Sequence, residues 1–351
     1  MKKLAALAMA FALTAVTLAG CGDSDAKNSS DGNGSTPAES TENTTPDNAD
    51  ITPDNADAAT YHVGICQLVQ HDALDAATQG FEDALKEKLG DQVAFDYQNA
   101  SGDSATCATI ANQFVAADVD LILANATAPL QASAAATNEI PILGTSITDY
   151  ATALEIDNWT GTTGTNISGT SDLAPLEEQA AMLHELFPDA EKVGLIFCSA
   201  EPNSEYQVNV VKAALEGYGY TCTYYSFADS NDIATVVTNA AAESDVLYIP
   251  TDNTAASATE VINNICLPAG VPIIAGEEGI CKGCGVATLS ISYYDLGYQT
   301  GLMAYEILVN GADVSTMPVE FAPQVTKKYN PLLCESLGIS IPDDYEIIIM
   351  E

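Results

Sequence analysis

The chain has 351 residues and a formal net charge of −39, from 49 acidic and 10 basic side chains. Every basic residue is a lysine, so the chain has no arginine with which to clamp a phosphate or a dicarboxylate in a bidentate manner. This balance argues against nucleic acid as a partner, because phosphates need basic side chains, and we interpret the acidity as a solvated surface.

The first twenty residues have the parts of a bacterial export signal. Met1-Lys2-Lys3 gives a basic start, residues 4–18 are almost wholly apolar, and Leu18-Ala19-Gly20-Cys21 follows. This last sequence resembles the lipobox, in which the cysteine is lipidated. We therefore predict a lipoprotein signal peptide at 1–20 and a lipid anchor on Cys21, which places the protein at the extracytoplasmic face of the cell membrane. The alternative is an ordinary secretory signal in which Cys21 occurs by chance.

Residues 21–59 are expected to be a disordered, lipid-anchored tether. They consist mainly of Ser, Thr, Asn, Asp, Gly and Pro, and the sequence TPDNAD occurs at both 45–50 and 52–57. Such a composition cannot bury enough apolar surface to offset the entropy of the chain.

From Tyr61 onward, strand-like apolar runs alternate with polar loops and helical patterns. The clearest strands are at 61–69, 119–124, 193–198 and 246–250, and each is followed by a polar loop that opens a helix. This alternation predicts parallel sheets covered on both faces. In such sheets ligands bind where strands end and loops begin. Further strands are predicted at 92–97, 140–144, 221–226, 271–275 and 286–290, and further helices at 105–117, 128–136, 175–187 and 296–308.

Two breaks in the pattern divide this part of the chain into two lobes. A Thr- and Gly-rich stretch at 158–169 suits a crossover between domains, and a second crossover is expected near Tyr293-Tyr294-Asp295. The predicted first lobe is 61–165 with 291–317. The predicted second lobe is 168–290 with 318–351.

Catalysis and metal binding find little support in the sequence. Only three histidines are present, at 62, 71 and 184, and we find no catalytic triad, phosphate-binding loop or dinucleotide motif. Cys281 and Cys284 have C-x-x-C spacing without a second pair nearby, and GICKGCG suggests a turn. We expect a local disulfide or free thiols there, and neither an enzyme nor a cofactor nor a metal site.

Several segments together resemble one family, the solute-binding proteins of bacterial ABC importers for tryptophan and other aromatic amino acids. The similar segments are LDAA at 74–77, DYQNA at 96–100, SAEPNS at 199–204, PTDNT at 250–254 and YYDLG at 293–297, and the resemblance covers 61–342. It implies an α/β type I periplasmic-binding-protein fold, in which two Rossmann-like lobes with parallel sheets are joined by a three-strand hinge.

The resemblance also implies a function. A monomer would bind tryptophan, tyrosine or phenylalanine in the cleft between the lobes and deliver it to an ABC permease with a cytoplasmic ATPase. The alternatives are a binding protein for branched-chain or other small solutes, and a ligand sensor of the same fold that does not transport.

The strand-end loops offer hydroxyl, amide and acidic groups, which suit the zwitterionic head of an amino acid. Hydroxyls and helix N-termini would hold the carboxylate, and one of the carboxylates that follow second-lobe strands, Asp252, Glu277 or Glu278, would hold the ammonium. Asp252 fits a helix N-cap equally well, the asparagines fit turns, and the tyrosines fit hinge packing. His71 would stack on or bond the ligand, and the alternative is a histidine in a surface loop. The expected ligand-binding residues are Gln70, His71, Asn125, Thr127, Ser146, Ser199, Glu201, Asn203, Ser204, Thr251, Asp252, Asn253, Glu277, Glu278, Tyr293 and Tyr294.

Overall fold

The computed structural model describes residues 60–322 and 324–350. The predicted signal peptide, Cys21 and the predicted tether lie outside the described residues. The described strands are β1 Tyr61–Gln67, β2 Val93–Asn99, β3 Leu121–Asn125, β4 Ile142–Ile147, β5 Ile167–Ser171, β6 Lys192–Cys198, β7 Thr221–Phe227, β8 Val246–Ile249, β9 Ile273–Ala275, β10 Ala287–Ser290, β11 Glu320–Phe321, β12 Thr326–Tyr329 and β13 Glu346–Ile347. The described helices are α1 Asp72–Leu89, α2 Ser104–Ala116, α3 Thr127–Ala136, α4 Tyr150–Ala153, α5 Leu176–Leu186, α6 Pro202–Tyr218, α7 Ile233–Glu243, α8 Asn253–Ala256, α9 Thr259–Ala269, α10 Glu278–Cys284, α11 Tyr293–Leu308 and α12 Pro331–Leu337.

The first lobe is built on a parallel sheet in the order β11-β5-β4-β3-β1-β2. One face packs on α2 and α3, where Phe114 and Leu130 are fully buried. The other face packs on α1 and α11, which contribute Phe81 and Met303. The central strands are therefore apolar on both sides, as the short continuous apolar runs predict.

The second lobe is built on a sheet in the order β13-β12-β10-β9-β8-β6-β7. Its neighbouring strands are parallel except for β10 and β12, which are antiparallel. Helices cover both faces here as well, with Leu183 and Val211 on one side and Val237 and Ile262 on the other. The α/β class predicted from the alternation of strands and helices is thus confirmed.

The sheets correct the predicted lobe boundaries at two points. We assigned residues from 168 onward, and again from 318 onward, to the second lobe. Strand β5 instead pairs with β4, and β11 pairs with β5, so both belong to the first sheet. The Thr- and Gly-rich sequence suggested a crossover because it lacks bulky apolar residues, yet β5 is fully buried in the sheet.

Helix α11 returns the chain to the first lobe and lies against α1 at backbone contact distance. A Cβ atom added to Gly297 would collide with the backbone carbonyl of Ala77, and one added to Gly80 would collide with the carbonyl of Tyr294. Glycine at both positions is therefore what allows the two helices to touch. This contact fixes the start of α11, and with it Tyr293, beside the cleft.

The C-x-x-C segment is helical, so the predicted turn is wrong. Residues Glu278–Cys284 form helix α10, capped by Glu277, whose side chain accepts hydrogen bonds from the backbone N–H groups of Gly279 and Ile280. The cysteines described by the structure, which are Cys66, Cys107, Cys198, Cys222, Cys266, Cys281, Cys284 and Cys334, are all free thiols. None of the described helices combines the length and the apolar character needed to cross a membrane.

Candidate ligand-binding cleft

The carboxyl ends of the strands in the two sheets face each other across a cleft, and Glu201 organises the second-lobe wall of that cleft. The buried Glu201 carboxylate accepts hydrogen bonds from the Asn253 backbone N–H (3.0 Å) and side-chain amide (2.7 Å). It also accepts hydrogen bonds from the backbone N–H (2.9 Å) and the hydroxyl (2.7 Å) of Thr254. With its lone pairs used in this way, Glu201 holds the loop after β8 in place and is not free to bind a ligand.

Asp252 is a helix cap in the structure. One of its oxygens accepts from the Ala255 backbone N–H (2.8 Å) and the other from the Cys198 backbone N–H (2.6 Å), and the Ser204 hydroxyl is a further partner. Burial, with Glu201 nearby, raises the pKa of the Asp252 carboxyl to about 8. Both oxygens are occupied by the protein, which favours the cap over the ammonium-binding role.

Hydrogen bonds join Asn203 and Gln207 to Thr251 in the second-lobe wall of the cleft. Asn203 donates its amide hydrogens toward Glu201 Oε2 (3.3 Å), Ser204 Oγ (3.3 Å) and the Thr251 carbonyl (3.2 Å). Its amide oxygen is therefore directed away from these groups, and it is buried without a partner. Gln207 accepts from the Thr251 N–H (3.1 Å), which fixes the loop that carries Thr251 and Asp252.

Polar side chains join the two lobes directly. His71 Nε2 lies 3.2 Å from Asn253 Oδ1, and Gln207 Nε2 lies 3.3 Å from the Thr148 hydroxyl. The Lys282 ammonium lies 3.6 Å from the carboxylate of Asp72. The lobes are thus in contact across the cleft, and the cleft is closed.

On the first-lobe wall, Asn125, Thr127 and Ser146 are all buried at the ends of β3 and β4. Asn125 donates to the Leu74 carbonyl (2.8 Å) and to the Thr78 hydroxyl (2.9 Å), whereas its amide oxygen has no partner. The Ser146 hydroxyl also has no partner. Ser146 has φ 57° and Ala126 has φ 98°, a conformation that is uncommon for residues other than glycine. Backbone strain of this kind is concentrated at functional sites.

Asp172 is the residue that sequence reasoning missed. It directly follows β5 and is 3% exposed, and its Oδ2 accepts a hydrogen bond from the Tyr293 hydroxyl (2.8 Å). Burial raises the pKa of the Asp172 carboxyl, although the hydrogen bond from Tyr293 favours the ionised form. The second carboxylate oxygen, Oδ1, is buried and makes no hydrogen bond. An unpaired acceptor of this kind is costly unless a ligand donor reaches it.

Glu277, Glu278 and Tyr294 lie apart from this cluster. They line a cavity of about 280 Å³ between α1, α10 and the start of α11, which Tyr293 and Ile349 also line. Burial raises the pKa of Glu277 to about 7, and its oxygens cap α10. Glu278 pairs with Lys328 at 2.7 Å. The Tyr294 hydroxyl bonds to Asp83 (3.1 Å) and the side chain is 40% exposed.

Gln70 and Ser199 are exposed rather than buried in the cleft. The Ser199 hydroxyl donates to the Phe227 carbonyl (3.1 Å). Gln70 lines a seam cavity of about 370 Å³ together with His71 of the first lobe and Met350 near the C-terminus. The structure therefore brings together His71, Asn125, Thr127, Ser146, Glu201, Asn203, Ser204, Thr251, Asp252, Asn253 and Tyr293, and it adds Thr148, Asp172 and Gln207.

Comparison with known proteins decides what kind of cleft this is. Residues 62–348 match the family described as ABC transporter substrate binding protein. The chain belongs to this family. A tyrosine-binding protein from Clostridioides difficile is 33% identical to this substrate-binding protein over 321 residues, which cover 91% of this chain and 87% of that relative. The predicted family and the predicted type I periplasmic-binding-protein fold are confirmed.

Two solved relatives bear on the closed arrangement of this substrate-binding protein. A Streptococcus pneumoniae structure in complex with L-Trp is 31% identical, has a TM-score of 0.79, and covers 83% of this chain and 100% of its own. A ligand-free, open substrate-binding protein with adhesive properties from Clostridium difficile is 34% identical with the same coverage, yet its TM-score is 0.63. Sequence divergence does not account for the lower score. This substrate-binding protein is arranged more like the L-Trp complex, in agreement with its direct contacts between the lobes.

Proposed function

We propose that this protein binds an aromatic amino acid (tryptophan, tyrosine or phenylalanine) in the cleft and delivers it to the permease of an ABC importer with a cytoplasmic ATPase. The single observation that carries the proposal is the free oxygen of the buried Asp172 carboxylate. A carboxylate with one oxygen held by Tyr293 and the other unpaired is suited to an ammonium group, which has three hydrogens to donate and no acceptor.

Further unpaired acceptors support a ligand that is rich in donors. The amide oxygens of Asn203 and Asn125 are buried without partners on opposite walls of the cleft. Each such group costs about 1–3 kcal/mol if it stays unsatisfied. An ammonium that reaches Asp172 and one of these amides would relieve part of that cost. It could do so only when the cleft is closed.

The carboxylate of the ligand has a different set of partners. Thr127 begins α3, and the unpaired Ser146 hydroxyl lies at the end of β4. A helix N-terminus offers free N–H groups and a favourable dipole for an anion. In this proposal Thr127 and Ser146 hold the carboxylate, and Asn203, Thr251 and Gln207 close on the head group from the second lobe.

Ligand binding would favour the closed state because only there do both lobes touch the ligand. An aromatic side chain is supported by two relatives, one described as a tyrosine-binding protein and one solved with L-Trp. The closed cleft would bury the ring between the lobes, where an aromatic group contributes a large apolar area.

Calorimetry of the purified protein with tryptophan, tyrosine, phenylalanine, leucine and ribose tests this function. We expect saturable heat from at least one aromatic amino acid. A ligand at one hundred times its Kd should also stabilise the protein by about 2.7 kcal/mol, which shifts the thermal unfolding curve. Binding of leucine or ribose with no heat from any aromatic amino acid would contradict the aromatic assignment. Aromatic binding without uptake by cells that carry the permease would instead favour a sensor.

We further propose that the protein is a monomer without catalytic activity, anchored through lipid on Cys21 at the extracytoplasmic face of the cell membrane. The Leu-Ala-Gly-Cys sequence after an apolar run supports the anchor. The substitution Cys21→Ser should move the protein from the detergent phase to the aqueous phase in a detergent-partitioning experiment. A Cys21→Ser variant that stays in the detergent phase would exclude this anchor.

A further inference from the structure

The hydrogen bond between His71 and Asn253 fixes which nitrogen of the histidine carries its hydrogen. Asn253 Nδ2 lies 2.7 Å from Glu201 Oε2, and a carboxylate only accepts, so the amide nitrogen of Asn253 points at Glu201. The amide oxygen of Asn253 then faces His71 Nε2 at 3.2 Å. Because that oxygen can only accept, His71 must donate from Nε2.

The other ring nitrogen is consequently an acceptor. Burial lowers the pKa of His71, so the imidazole is neutral, and a neutral ring protonated at Nε2 has a lone pair at Nδ1. Nδ1 is buried and has no partner. His71 is also the N-cap residue of α1, yet its side chain makes no capping bond, so the N–H groups of that helix do not use this lone pair.

The sheet order separates this acceptor from Asp172, so a ligand that reaches both residues must be elongated. His71 follows β1 and Asp172 follows β5, and the sheet order β5-β4-β3-β1 separates them by three strand spacings, about 14 Å. Both residues follow the carboxyl ends of their strands, so they lie at the same end of the first sheet. A ligand whose ammonium binds Asp172 and which lies across β4 and β3 would extend from Asp172 toward His71.

We propose that His71 Nδ1 accepts a hydrogen bond from the ring of the ligand, either the phenol O–H of tyrosine or the indole N–H of tryptophan. The inference rests on the proposed function, and it adds that the site prefers ligands whose ring carries a hydrogen-bond donor. Phenylalanine has no ring donor and would leave the buried lone pair unsatisfied, so it binds more weakly. The expected discrimination is roughly 5- to 100-fold, the equivalent of one buried unsatisfied acceptor.

Calorimetry with tyrosine and phenylalanine on the wild type and on His71→Phe tests the proposal, because this variant keeps a ring but removes both nitrogens. We expect the wild type to bind tyrosine roughly 5- to 100-fold more tightly than phenylalanine, and the variant to bind both about equally. His62→Phe, on an exposed residue of β1, is the matched control and should keep the wild-type ratio.

A wild type that binds both ligands equally, or a variant that keeps the wild-type ratio, would overturn this inference alone. Absence of binding for every aromatic amino acid would overturn the proposed function as well. If His71→Phe does not fold, ¹⁵N NMR of the wild-type imidazole decides. The free protein should be protonated at Nε2, and the Nδ1 resonance should move with tyrosine and not with phenylalanine. The opposite tautomer, or equal shifts with both ligands, would overturn the inference.

Discussion

Tyr293 donates its phenol hydrogen to Asp172 Oδ2 across 2.8 Å, although the two residues are 121 positions apart in the chain. Asp172 begins the segment that leaves the first sheet for α5, and Tyr293 begins α11, where the chain returns to the first lobe. The bond therefore ties two of the connections between the lobes to each other. It also engages one oxygen of the Asp172 carboxylate and leaves the other, Oδ1, without a partner.

Replacing Asp172 by asparagine should weaken binding of the amino acid. The change removes the negative charge opposite the ammonium, and a hydrogen bond to a charged group contributes about 1.5–3 kcal/mol. We expect Kd to rise roughly 10- to 100-fold by calorimetry. Asp313→Asn, at an exposed cap of the 3₁₀ turn Val314–Thr316, is the matched control and should leave Kd unchanged. Wild-type affinity in the Asp172→Asn variant would show that the ammonium binds at another residue.

The affinity for the amino acid should rise with pH. Burial raises the pKa of Asp172 above its ordinary value of 3.8, so part of the free protein is protonated above that pH. If the ammonium binds the ionised form, as the proposed function requires, binding must release a proton in that range. Calorimetry at a series of pH values should show tighter binding as pH rises through the shifted pKa. The dependence should disappear in Asp172→Asn, and if it persists there, another group is responsible.

Asp252 should make the folded protein less stable as pH rises. Its pKa is raised from 3.8 to about 8, mainly by burial, so between these values the folded state holds a proton that the unfolded state has lost. The free energy of unfolding therefore falls with increasing pH across this window. In urea unfolding, Asp252→Asn should show a smaller fall than the wild type between about pH 5 and about pH 8. An equal fall in both proteins would assign the effect to the remaining acidic residues.

Gly297→Ala should destabilise the protein more than an ordinary surface change. The new methyl group would overlap the Ala77 carbonyl, so α1 and α11 must separate, at a cost of about 1–3 kcal/mol or more. Gly217→Ala is a matched control because Gly217 lies in α6 with open space around its Cβ position. There alanine should stabilise the helix by about 0.5–1 kcal/mol. Chemical unfolding of both variants measures the change in the free energy of unfolding. If both substitutions change it in the same direction, the packing argument is wrong.

Strands and helices were largely predictable because their signals are local. The buried runs that became β1, β3, β6 and β8 stand out as continuous apolar stretches, and the helices between them have clear apolar faces. Strand β5 was missed as part of the first sheet because ISGTS lacks the large apolar residues of the other strands. Its burial comes from neighbours that are distant in sequence, β4 and β11.

The cleft was predictable as a set of loops, but the role of each side chain was not. The sequence around Asp252 fits both a helix cap and a ligand-binding residue. Only its hydrogen bonds from the backbone N–H groups of Ala255 and Cys198 distinguish these two roles. Asp172 lies four residues before the start of α5, where an aspartate carries the local signal of a helix cap. Its partner Tyr293 lies 121 residues away, and no local pattern connects them. Gln207 lies inside α6, where a single glutamine carries no signal of its own.

The placement of the C-terminal residues bears on how the protein is best fused to other sequences. Ile349 and Met350 line cavities that also include Asp72, a residue of the opposite lobe. An affinity tag or a fluorescent protein appended there would sit at the seam where the lobes meet and would have to be displaced each time they close. Strand β1, in contrast, begins at the end of its sheet that lies opposite the cleft. A reporter attached ahead of Tyr61 should therefore leave ligand affinity unaltered, whereas one attached at the C-terminus should lower it.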